Sequence, residues 1–82
     1  MKEIRLVRTC VACPEQYDAF LGEEKVGYLR LRHGSFTVHV PDWDGELVLE
    51  TCPHGDSEFE DWERDVHLGA AKAAIFARRA NA

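Results

Sequence analysis

Three cysteines and one histidine constrain this chain more than anything else in it. Cys10 and Cys13 are separated by two residues, and Cys52 and His54 follow thirty-nine residues later, separated by one. Three thiols and an imidazole are the ligand set of a closed structural zinc site, and a two-residue gap lets one turn aim both sulfurs at a single ion. A metal held by Cys10, Cys13, Cys52 and His54 would staple the start of the chain to its middle. The expected cofactor is therefore a structural zinc, or another thiophilic ion with the same preferences. Two other readings stay open: inert small thiols with His54 as a loop residue, and a redox pair at Cys10 and Cys13. A redox pair favours a thiol at a helix amino terminus, whereas here one strand ends and another begins.

Length makes such a staple valuable. Eighty-two residues form a single domain, 1–82, and a domain this small buries only a modest share of its surface. Three cysteines cannot all pair within one chain, and no apolar run reaches membrane-spanning or signal-peptide length. These features lead to the expectation of a cytoplasmic protein with no membrane partner.

The strands follow from period-two alternation. Ile4 to Cys10 is the first, Tyr17 to Leu21 the second, Val26 to Arg32 the third, Ser35 to Val40 the fourth and Glu46 to Thr51 the fifth. Gly22 to Lys25 and the pair His33 and Gly34 supply hairpin turns. Ser57 with Glu60 fits a capping box, which predicts one helix from about Glu60 to Arg79. The fold class is α+β: an antiparallel meander of about five strands (1–56, with the metal ligands) and a carboxy-terminal helix (57–82) packed on the sheet.

On a helical wheel Trp62, Val66, Gly69, Ala70, Ala73, Phe76 and Ala77 form one stripe, expected to face the sheet. Leu68, Ala71 and Ile75 form a narrower stripe on nearly the opposite side. That second stripe either meets another molecule, including a second copy, or consists of scattered surface apolars. The lone histidines His33, His39 and His67 read as turn, sheet-surface and helix-surface residues.

The charge is uneven. The net value is −5, but residues 42–65 carry ten acidic side chains against Arg64 alone, a sum of −9. Such a block repels a phosphate backbone, which argues against direct nucleic-acid binding. It suits a basic protein surface, or it is a set of solvated loops. The contact candidates are Asp42, Asp44, Glu46, Glu50, Asp56, Glu58, Glu60 and Asp61, with Trp43, Leu68 and Ile75 as apolar candidates. Four protein ligands leave a metal no open position, and nothing in the sequence orients a nucleophile, so the chain does not read as an enzyme.

The run from Cys13 through Asp18 (CPEQYD), the run from Val26 through Gly34 (VGYLRLRHG), and Phe59, Glu60 and Asp61 before the helix resemble small proteins of phage and prophage type. The likeness covers most of the chain. It extends to zinc-containing anti-CRISPR proteins, inhibitors directed at a type II RNA-guided nuclease. The resemblance implies a protein partner in the bacterial host cytosol, whose basic channel the −9 block would occupy so that target DNA cannot load. The rival expectation is a host-directed or self-assembling phage module that docks through Leu68, Ile75 and Trp43.

Overall fold

The computed structural model describes residues 3–10 and 14–80. Five strands precede one helix: β1 (Ile4–Cys10), β2 (Glu15–Leu21), β3 (Glu24–Arg32), β4 (Ser35–Val40), β5 (Glu46–Thr51) and α1 (Asp61–Ala80). They form one antiparallel sheet in the order β1-β2-β3-β4-β5, the expected meander with one carboxy-terminal helix. β2 and β3 each begin two residues before the alternation predicted, because Glu15 and Gln16 pair with Leu31 and Arg30, and Glu24 and Lys25 pair with Leu21 and Phe20.

Local chemistry accounts for the turns. His33 and Gly34 both have positive φ, 53° and 74°, which is what a two-residue hairpin joining right-twisted strands requires. The ladders slip by one residue at Thr9, Val26 and Val48, where β1 meets β2, β2 meets β3, and β4 meets β5. Such bulges bend a sheet and increase its twist.

Alternate residues build that face. Tyr17 and Ala19 from β2, Leu29 and Leu31 from β3, and Phe36 and Val38 from β4 are buried, with Ile4 and Val26 at the periphery. Phe59, Ala71 and Ile75 close over them. The helix sits tightly because Gly27 has no side chain. A Cβ there would lie 2.7 Å from Ile75 Cδ1, so the strand itself is the floor on which Ile75 rests.

The helix presents the opposite face from the one expected. Ala71 and Ile75 are fully buried, and Leu68 packs against the core. Trp62, Val66 and Phe76 face outward, 68%, 70% and 41% exposed. Leu68 and Ile75 therefore belong to the intramolecular core rather than to a docking surface. The wheel misleads because the inward face also carries Glu63, Arg64 and His67, whose polar groups are satisfied inside the fold. Counting apolar residues favours the wrong side.

Candidate functional site

The end of the sheet where β5 leaves for the helix is organised by two buried carboxylates. Glu15 shares the inward face of β2 with Tyr17 and Ala19, and is itself fully buried. Arg64 Nε donates to its Oε2 at 2.9 Å and Nη2 to Oε1 at 3.3 Å. The Phe59 amide donates to Oε1 at 3.0 Å, and the Tyr17 hydroxyl donates to Oε2. Arg8 stands 3.6 Å away on the other side. Burial pushes such a carboxyl up, but the bonds from Arg64, Tyr17 and Phe59 outweigh it and hold Glu15 below its usual value. The same arrangement, burial first and then the bond to Glu15, drives the Tyr17 hydroxyl up to about 12.

Glu63 does the corresponding work from the helix side. Its oxygens accept the amides of His54 at 2.8 Å, Gly55 at 2.8 Å and Glu60 at 3.0 Å. Burial opposes ionisation, yet three backbone donors overcome it and bring the carboxyl down to about 2. The bond back to the Glu60 amide is the reciprocal half of a capping box, with Glu60 as the cap and Glu63 three residues on. The predicted box thus lies one helical turn later than expected. Ser57 is occupied instead in the loop, where its carbonyl accepts the Glu15 amide at 2.8 Å. Gly55 is obligatory because a Cβ would lie 1.8 Å from the Glu58 carbonyl oxygen.

His67 is not a helix-surface residue. Its ring stacks on Phe59 at 5.3 Å and meets Phe36 edge-on, while Nδ1 lies 3.2 Å from Thr51 Oγ1. Residues 52–60 are thereby pinned to the sheet through Glu15, to the helix through Glu63 and to the core through Phe59.

On this scaffold the acidic residues separate into two groups. Asp56, Glu58, Glu60, Asp61 and Asp65 are exposed around the loop and the first helical turns. Asp42, Asp44 and Glu46 lie at the β4–β5 connection with exposed Trp43, and Glu50 stands between the groups on β5. The described ion pairs neutralise Asp42 through Lys25, Glu46 through Arg78 and Asp61 through Arg64. Asp44, Glu58 and Glu60 take part in none of them. Asp42 also accepts the Trp43 amide at 2.7 Å, so it shapes its loop as much as it presents charge.

Of the expected metal ligands, Cys13 lies outside the described residues. Cys10 ends β1 and Cys52 directly follows β5, at opposite edges of the sheet, and the His54 ring rests edge-on against Trp62 at 4.9 Å. Among the described residues no group of three or more His, Cys, Asp and Glu side chains is gathered as if for a metal. Nor, among those residues, is any helix long and apolar enough to cross a membrane.

Glu15 and Glu63, the two residues that organise this end, are absent from the sequence-derived candidates. Glu15 was legible in principle, since it shares the period of Tyr17 and Ala19. Glu63 was legible as the third residue after a helix cap. Comparison with known proteins finds no matching family, no matching curated protein and no matching solved structure.

Proposed function

We propose that this chain is a non-enzymatic interaction domain whose acidic end docks on a basic protein surface that otherwise holds nucleic acid. The observation that carries the reading is the rigid mounting of the carboxylates at Asp56, Glu58, Glu60, Asp61 and Asp65. A loop tied down at Glu15 and Glu63 loses little freedom on binding, so its charges act at low entropic cost. Charges so arranged raise the rate of encounter with a lysine- and arginine-rich groove and repel nucleic acid from it.

The anti-CRISPR resemblance gives the partner a class. A type II RNA-guided nuclease reads its heteroduplex through the backbone, in a positively charged channel. On this reading the domain occupies part of that channel in the bacterial cytosol and target DNA does not load. Asp42, Asp44, Glu46 and Trp43 would form a second, outlying contact. A zinc on Cys10, Cys13, Cys52 and His54 would have to draw together Cys10 and Cys52, which stand at opposite edges of the sheet, so the reading does not depend on it, and metal content tests it separately.

The deciding experiment replaces Asp56→Asn, Glu58→Gln and Glu60→Gln together and measures inhibition of target-DNA cleavage at low and moderate salt. Inhibition should fall at least about tenfold, and its salt dependence should flatten. Full inhibition by a variant that melts like the parent would overturn the reading.

A further inference from the structure

The outward face of α1 is apolar, and neither the core nor the acidic end accounts for it. Trp62, Val66, Gly69, Ala73, Phe76 and Ala80 are all exposed. Their spacing is four, three, four, three and four residues, the repeat of a helix that pairs with another helix. Ala71, on the opposite side of that repeat, is buried against the sheet. The seam is therefore presented squarely to solvent.

Gly69 points the same way. A Cβ at this position would meet nothing within 4 Å, so the fold itself does not require a glycine there. A mid-helix glycine costs about 1 kcal/mol relative to alanine. Close approach of a second helix is what a residue without a side chain permits.

The seam is also complementary to its own reverse. In an antiparallel pair centred on residue 71, Trp62 faces Ala80 of the second copy, Val66 faces Phe76 and Gly69 faces Ala73. The large ring meets the small residue in each end layer, and the centre is small on both sides. A parallel pair would set Trp62 against Trp62 and leave a gap where Gly69 meets Gly69. The flanks carry the same preference. Antiparallel pairing brings Asp65 beside Arg79 of the second copy, twice by symmetry, while Lys72 meets its own counterpart on the rim, where its flexible stem can swing clear. Arg79 is available for this, since its contact with Glu24 is a long, exposed pair at 3.6 Å. Trp62 is already steadied by the His54 ring.

We propose that a second copy of this chain docks on this face, forming a twofold antiparallel helix pair through Trp62, Val66, Gly69, Ala73, Phe76 and Ala80. The proposal shares Asp65 alone with the acidic end and does not depend on that end's partner.

Sedimentation of the full chain from about 1 μM to about 1 mM tests it, a range that covers weak to moderate self-association. The parent should pass from monomer to dimer. Val66→Glu should raise the dissociation constant at least about tenfold without changing the melt of the dilute protein, since Val66 is exposed. Asp65→Arg should weaken the dimer, and adding Arg79→Asp should restore it, which only the antiparallel register predicts. A chain that stays monomeric throughout overturns the proposal and leaves the face to another protein's helix or to a lipid surface. So does a dimer that survives Val66→Glu, and failure of the double charge reversal to restore pairing overturns the antiparallel arrangement.

Discussion

Glu15 and Arg64 are 49 residues apart in the chain, yet the guanidinium reaches both carboxylate oxygens, at 2.9 and 3.3 Å, where the carboxylate is fully buried. The pair joins the second strand to the helix, and the Phe59 amide and carbonyl complete the same network. Losing one partner strands the other. Glu15→Gln should cost about 3 kcal/mol by chemical denaturation, since a partly buried Arg64 then keeps only the exposed Asp61 carboxylate as counter-charge. Arg64→Met should be costly alone, and the double variant should be markedly less destabilised than the sum. Strict additivity would show that the two residues act separately.

Acid should release the loop. Glu63 is lowered from 4.5 to about 2, and Glu15 is lowered as well. A carboxyl whose folded value is depressed binds fewer protons folded than unfolded. Its contribution is complete above about pH 4.5 and lost as pH falls towards 2. The melting temperature should therefore drop through that window. Glu63→Gln should flatten the drop, because an amide has no charge to lose and turns a donor towards backbone donors. An equally steep profile in Glu63→Gln would assign the acid sensitivity elsewhere.

The helix–sheet distance rests on Gly27. Gly27→Ala places a methyl 2.7 Å from Ile75 Cδ1, and should cost about 1–2 kcal/mol. Ile75→Val removes that Cδ1 atom and should cost about 1 kcal/mol by itself. Combined in one chain, the two should cost less than their sum, as measured by urea unfolding.

The expected zinc can be separated from the carboxylate anchors. Cys52 is exposed, and residues 52–60 are already held through Glu15, Glu63 and Phe59. Cys52→Ser should move stability by less than about 0.5 kcal/mol, the range of an ordinary surface change. Chelator should likewise leave the melt unaltered. A collapse in both, with one zinc per chain by mass spectrometry, would make the metal the staple of the loop.

The strands were readable because a sheet with one buried face imposes period two on its side chains, and Phe36, Val38, Leu29 and Leu31 keep that period without exception. The helix was readable in extent but not in orientation. Its inward side carries Glu63, Arg64 and His67, and a polar residue satisfied inside a fold looks identical in sequence to one satisfied by water. The acidic residues of the candidate site were legible as a block. That block concealed a division of labour, with Glu63 buried and Asp42 engaged with Lys25, while Glu58 and Glu60 face solvent. Sequence spacing carries no sign of which carboxylate does which.

The strictly sequential strand order also sets an order of events. Each hairpin joins strands that are neighbours in sequence, so the sheet can assemble two strands at a time with short loops to close. The bonds from Glu15 to Phe59 and Arg64 span 44 and 49 residues, so closing them costs more chain entropy than any hairpin, and they are expected to form later. In native-state hydrogen exchange the loop and helix should open as one cooperative unit while the β2–β3–β4 amides stay protected. The acidic loop and the outer helix face both ride on that unit, so on this expectation the parts facing outward are also the first that the protein can let go.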